Sequence, residues 1–292
     1  MFIHRDYSIQ IHKTITEDNY ILTLWRVGLL NQPLNSSKSY PIILQHGLLD
    51  SSFTWIINEK NESLAYILAS LGYDVWLTNN RGSRYSHEHK DMTASDDEYW
   101  QFSFDEMAAY DLPANVNYIK NVTSADKVIF IAHSQGTTQL FAHLTENPEF
   151  KQNFRLVFGL GPVIKVDHQG SLLVSLAKNL RVLDILNFFG IDSFLFLESD
   201  VFPTLGVFCE KLSGICVDAV RLLCGNSEIV HYNSSRMSVM ASHEPGGSSI
   251  QNILHWYVSF FNNFRMLFLS IFFFQIISCF FCCWNFCYFH FF

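Results

Sequence analysis

Positive charge is scarce in this sequence. Its 292 residues hold 19 lysines and arginines against 27 aspartates and glutamates, for a formal net charge of −8. The basic residues are scattered, so no polyanion-binding stripe forms and nucleic acid is not expected as a partner. Cysteine is rare in the body of the chain, where only Cys209, Cys216 and Cys224 occur, and the other four fall between Cys279 and Cys287. The one CxxC spacing, Cys279 to Cys282, has no second pair, so no metal site is expected. The opening MFIHRDYSIQIHK has no basic segment leading into an apolar one, so a signal peptide is not expected there. No internal repeat is visible. Charge is missing altogether from 266–292, which contain no Asp, Glu, Lys or Arg.

What is present divides by texture. Residues 1–164 alternate short apolar runs with helical patterns. YSIQIH and YILTLWRV read as alternating strands separated by Glu17-Asp18-Asn19, and PIILQ, YDVWLT, VIFIA and LVFGLG read as strands buried on both faces. Helices are expected from Ser63 to Leu71 and from Phe104 to Lys120, with Asp111 and Pro113 marking a restart. Such alternation implies an α/β fold with a mostly parallel sheet. Residues 165–259 are leucine-rich and helical in period with no clear strand, as expected of a cap over an apolar pocket. Residues 260–292 form a hydrophobic tail. Its uncharged run exceeds the roughly 20 residues a helix needs to cross a bilayer, and Trp284 and Tyr288 suit an interface. It reads as a transmembrane anchor or as translated noncoding sequence.

Chemistry concentrates at Ala132-His133-Ser134-Gln135-Gly136, where an apolar strand stops and a helical pattern begins. In a nucleophile elbow the serine sits on a strained turn, with small residues two before and two after it so that strand and helix cross closely. Ala132 and Gly136 meet that requirement. The turn in LQHGLLDSS, residues 44–52, follows the third strand, the position from which a second oxyanion donor comes. There Leu48 would offer its backbone N–H, and Gln135, the residue after the serine, the other.

With these motifs the chain resembles the acid lipases, the gastric and lysosomal enzymes that cleave triacylglycerols and cholesteryl esters. The resemblance is carried by TEDNYILTLWR, LQHGLLDSS, GYDVWLTNNRG, FSFDEMAAYDLPA, AHSQGTT and SHEPGGSSIQNILHW, in family order across roughly residues 7–259. It implies an α/β-hydrolase fold missing its last strands, with Ser134 as nucleophile, Leu48 and Gln135 as oxyanion hole, and a lipid ester substrate met at a membrane or lipid droplet. No cofactor is implied. It also implies a disulfide between Cys216 and Cys224, glycosylation at Asn233, and a secreted or lysosomal location. Sequons also start at Asn35, Asn61 and Asn121, at the frequency expected by chance.

The family's triad Asp and His lie downstream of the segment matching NILHW, where this sequence departs from the pattern, so neither is expected in this chain. His133 should point away from the serine. His243 and His255 match non-catalytic positions, and Asp192, Asp200 and Asp218 read as a solvated helix face. A non-catalytic lipid-binding protein and a different hydrolase on the same fold are the rival readings.

Overall fold

The computed structural model describes residues 4–32, 40–164, 192–194, 201–224 and 234–261. Its framework is a seven-stranded sheet. Strands β1 (Tyr7–Ile15) and β2 (Tyr20–Leu29) form an antiparallel hairpin in continuous register from Tyr7 opposite Leu29 to Ile15 opposite Ile21. Its turn is set by short polar side chains. Asn19 takes a left-handed backbone (φ 74°), and Thr16 Oγ1 accepts from Tyr20 N at 2.9 Å. Both conformations are ones that Asn and Thr favour in turns.

Beyond β2 lie β3 (Ile42–Gln45), β4 (Val75–Thr78), the two-residue β5 (Glu88–His89), β6 (Val128–His133) and β7 (Phe154–Leu160). The order across the sheet is β1-β2-β4-β3-β6-β7, with β5 paired to β2. The pairings β4–β3, β3–β6 and β6–β7 are parallel, so the centre of the sheet is parallel and its β1–β2 edge antiparallel. All six expected strands are present.

Period-two alternation explains why the central strands read as unbroken apolar runs. Ile42, Leu44, Val75 and Leu77 point to one face, where they pack with Phe53, Trp55 and with Ala65 and Tyr66 of helix α1 (Leu64–Ser70). Ile43, Trp76, Val128 and Phe130 point to the other. There they meet Leu112, Val116 and Ile119 of a helix that follows a short turn.

That helix begins as α2 (Phe104–Glu106), where Ser103 and Glu106 make a reciprocal capping box. A π-helical turn (Met107–Asp111) connects it to α3 (Leu112–Thr123), with Pro113 in the first turn as the restart requires. Asp111 stands at the N-cap position of α3, but its side chain makes no cap hydrogen bond. Its carboxylate is fully buried and accepts from Arg81 N and Nε, a stronger claim than a cap because the partner is a buried cation. Helix α4 (Gln135–Glu146) follows β6 directly and adds Leu140 and Leu144 to the same core.

In the segment expected to be wholly helical, the described residues contain a two-residue antiparallel pairing of β8 (Ser193–Phe194) with β9 (Ser248–Ser249). Helices α5 (Val201–Lys211), α6 (Ser213–Cys224), α7 (Met237–Ala241) and α8 (Ile250–Phe261) account for most of the rest. Cys209, Cys216, Val217, Met237 and Met240 join the core cluster that includes Phe53 and Trp55.

The expected Cys216–Cys224 disulfide does not form. Cys216 is bonded to Cys209, joining the C-terminal end of α5 to the start of α6 across a Cα–Cα distance of 5.7 Å. The tight link between these helices brings Cys209 within reach, and one sulfur can take only one partner. Asn233 and the apolar run 266–292 lie outside the described residues. Among the described residues no helix is long and apolar enough to cross a membrane.

Candidate active site

Ser134 stands between the last residue of β6 and the first of α4, one strand in from the β7 edge of the sheet. Its backbone is at φ 49°, ψ −120°, a positive-φ conformation that a non-glycine residue adopts only when the surroundings enforce it. The enforcement is visible. Ser134 N donates to Leu160 O at 3.0 Å, and Ser134 O accepts from Thr137 N at 2.9 Å and from Thr137 Oγ1 at 2.6 Å. The small flanking residues are required by contact. Ala132 is fully buried, and a Cβ on Gly136 would come within 2.8 Å of both Gln45 Cγ and His46 O. Strand β3 and the start of α4 therefore touch through that glycine.

The turn after β3 comes to the serine from the other side. A Cβ on Gly47 would lie 3.1 Å from Ser134 Cβ and 3.1 Å from His133 Nδ1. His46 braces this turn. Its Nε2 accepts from Asn80 N at 3.0 Å, which leaves Nδ1 as the protonated nitrogen, donating to Gly47 O at 2.8 Å. Burial pushes the ring's pKa down to about 4, in keeping with a neutral imidazole. Asn80 is held in turn, its Oδ1 accepting from Gln45 Nε2 at 2.9 Å. Leu48, next in the turn, packs on Phe104 and Trp256.

Gln135 is 1% exposed, and its side chain is gripped from α8. Its Oε1 accepts from Trp256 Nε1 at 2.6 Å and from Asn252 Nδ2 at 3.0 Å. The structure thus brings Gly47 against Ser134, with Gln135 next to the serine in the chain and Leu48 next to the glycine. It gives His46 of that turn a bracing role and adds Asn252 and Trp256, whose contacts with Gln135 the sequence reading did not foresee. His46 carried a signal, since an apolar strand ending in Gln-His-Gly has few other uses for a histidine. Asn252 and Trp256 lie more than a hundred residues from Gln135 and gave no local sign.

Among the described histidines, His243 and His255 are engaged elsewhere. His243 Nδ1 is 2.9 Å from Tyr85 Oη, and its ring stacks on Phe53. His255 Nδ1 is 3.0 Å from Ser103 Oγ, and its ring stacks on Phe104. His133 turns its Nδ1 toward Gly47, where burial pushes its pKa down to about 4. Asp218 is exposed and pairs with Arg221 on its own helix. Among the described residues no group of three or more His, Cys, Asp or Glu could hold a metal ion.

The arrangement is a half-buried serine on a strained turn with the turn after β3 packed against it. Two family profiles match the chain. One, a partial alpha/beta-hydrolase lipase region, matches residues 1–59, and the other, alpha/beta hydrolase fold, matches residues 40–173. The lysosomal acid lipase/cholesteryl ester hydrolase of Macaca fascicularis is 42% identical over 245 residues, covering 82% of this chain and 61% of that protein. The chain belongs to the acid lipase family of α/β-hydrolases. Its human counterpart of the same description is 41% identical over an equal span, and the gastric triacylglycerol lipase of Bos taurus is 37% identical over 88% of this chain and 65% of its own length. The chain therefore spans about three-fifths of the length of these relatives. In fold it is similar to the crystal structure of a candidate lipase from Sulfolobus solfataricus, with a TM-score of 0.58 at 12% identity over 87% of this chain and 78% of that one.

Proposed function

We propose that Ser134 is the nucleophile of a lipid-ester hydrolase and that Leu48 and Gln135 supply its oxyanion hole through their backbone N–H groups. The observation that carries this reading is the φ 49° backbone of Ser134 with Gly47 pressed against it, since nothing in the packing of a plain strand end calls for either. The relatives' descriptions supply the substrate class, acylglycerols and sterol esters. Ser134 Oγ attacks the ester carbonyl and loses its proton to a base. The oxyanion is held by the two N–H groups. The protonated base then gives its proton to the departing alcohol, and water releases the fatty acid by the same route.

Base and orienting carboxylate are further parts the reaction needs, and His243 and His255 are held by Tyr85 and Ser103 instead. We assign them to sequence beyond the stretch shared with the relatives, and residues 165–259 to a cap over the acyl chain. A disulfide and the relatives' descriptions fit a secreted or lysosomal location. The run 266–292 is assigned to contact with lipid.

The test compares the purified 292-residue chain with one in which residues after Asn263 are replaced by the corresponding C-terminal region of an acid lipase. The first should hydrolyse p-nitrophenyl butyrate near background. The second should show turnover abolished by Ser134→Ala. Turnover in the extended chain that survives Ser134→Ala would refute the assignment. A second reading, lipid binding without hydrolysis, is favoured by the hydrogen bonds that occupy His243 and His255. It predicts fatty-ester binding by both chains and turnover by neither.

A further inference from the structure

We propose that Asn252 and Trp256 are positioning residues for the oxyanion hole, holding the Gln135 backbone N–H in its aim by saturating the Gln135 side chain. The inference rests on the reading of Ser134 as nucleophile and deepens it.

The N–H in question belongs to the peptide that joins Ser134 to Gln135. Its direction depends on the strained ψ of Ser134 and on where Gln135 Cα is held. A strained turn relaxes toward ordinary backbone unless its neighbours over-determine it. Strand β6 fixes the turn from one side. On the other side the fixing comes through the Gln135 side chain, whose Oε1 has both acceptor directions filled, by Trp256 Nε1 at 2.6 Å and Asn252 Nδ2 at 3.0 Å. The amide nitrogen faces Met107 Sδ at 3.5 Å.

The donors are themselves immobile. Asn252 is fully buried with its side chain fully used: Oδ1 accepts from Phe104 N at 2.9 Å, and Nδ2 also donates to Ser248 Oγ at 2.9 Å. Its backbone N–H donates to Ser249 Oγ, which in turn donates to Phe102 O. Trp256 packs on Phe104, with ring centroids 5.1 Å apart, and Leu48 packs on that same pair. The Phe104–Trp256 pair therefore bears on both proposed donors, by the indole's hydrogen bond to Gln135 and by the packing of Leu48 against the pair. A glutamine chosen only to fill space would not need two N–H donors on one oxygen, and a buried carbonyl needs only one.

The experiment measures the reaction of the 292-residue chain with an alkyl fluorophosphonate, followed by intact mass over hours. Without a base this labelling is slow, and what remains of it depends on the oxyanion hole. Saturation with probe separates kinact, which reads transition-state stabilisation, from KI, which reads binding. Trp256→Phe removes the N–H and keeps a ring on Phe104. Asn252→Asp keeps the shape and removes the donor. Gln135→Met removes the shared acceptor.

Each variant should lower kinact about tenfold with KI within twofold. Trp256→Phe added to Gln135→Met should cause no further loss, because the contact is already gone. A purely structural role would change the unfolding temperature and leave the kinact of the folded fraction alone. Equal kinact in Trp256→Phe and wild type, with both folded, overturns the positioning role. If Trp256→Phe does not fold, Gln135→Met decides the question by the same measure. Labelling unchanged in Ser134→Ala, or absent also in the chain extended with an acid lipase's C-terminal region, overturns the nucleophile reading and the positioning role with it.

Discussion

Gly47 lies so close to Ser134 that a methyl group on its α-carbon would stand 3.1 Å from Ser134 Cβ. That separation is tight but can be relieved if the turn after β3 moves back by a few tenths of an ångström. The movement would carry Leu48 N away from the serine. Gly47→Ala is therefore expected to leave the protein folded, while lowering the rate of Ser134 labelling by about 100-fold, the range seen when an oxyanion donor is lost. Gly136→Ala meets backbone, His46 O at 2.8 Å, which cannot step aside without moving β3. It should destabilise the fold by about 1–3 kcal/mol as well as suppress labelling. Urea unfolding with labelling of the folded fraction separates the two. Equal behaviour of both variants would contradict the packing described.

The parts of this arrangement that showed in the sequence are those governed by local pattern. The central strands announce themselves because IILQ and VWLT are buried along their whole length, so each reads as an apolar run. The elbow shows because close crossing of β6 and α4 demands small residues at fixed offsets from Ser134. What stayed hidden depends on tertiary placement. Asp111 read only as part of a helix restart with Pro113, and the fold alone reveals Arg81 beside it. Cys216 has cysteines seven residues before it and eight after, and spacing alone does not choose between them. The pairing of Ser193-Phe194 with Ser248-Ser249 is too short to impose alternation on its sequence.

The choice of cysteine partner is open to direct test. A non-reducing digest should yield a cross-linked peptide pair containing Cys209 and Cys216, with Cys224 outside it. Cys209→Ser and Cys216→Ser should each lower stability by about 2 kcal/mol, as loss of a short-loop disulfide does. Cys224→Ser should do so by much less. A Cys216–Cys224 peptide in the digest would contradict the structure and restore the family expectation.

Arg81 is almost completely buried, 1% exposed, and its guanidinium joins Asp111 on one side and Asp18 on the other while lying 4.0 Å over the Tyr20 ring. Its backbone N–H also donates to Asp111 Oδ2 at 2.9 Å. These bonds fix the loop whose Asn80 N–H braces His46, so the ion pair is linked through that loop to the turn beside Ser134. Arg81→Met leaves Asp111 as a buried charge without its cation, which costs about 3–5 kcal/mol. Adding Asp111→Leu removes the orphaned charge and should recover a large part of that loss in urea unfolding. Simple additivity of the two losses would show that the pair is not coupled as the geometry requires.

Stability should also depend on pH, with two opposed sets of groups. Burial pushes His46, His133 and His243 each down to about 4 from the usual 6.5. Their stabilising contribution is full above about pH 6.5, because folded and unfolded chains are then equally unprotonated there. As pH falls toward 4 the unfolded chain takes up protons that the folded one refuses, and the contribution is lost. Glu244 acts in the other direction. Burial and then the neighbouring Asp50 raise its pKa well above 4.5, against the opposing pull of Ser51 and Arg84. Its contribution is full below about pH 4.5 and is lost as pH rises and the unfolded chain ionises first. Between these limits three groups oppose one, so the unfolding temperature should climb from pH 4.5 to 6.5. The Glu244→Gln variant isolates the minority term. Its stability relative to wild type should be near its lowest at pH 4.5 and should rise steadily toward pH 7.5, where the wild-type carboxyl is most costly to keep protonated beside Asp50. A difference between the two proteins that stays constant across that range would mean the Glu244 carboxyl titrates alike folded and unfolded, and that Asp50 does not press on it.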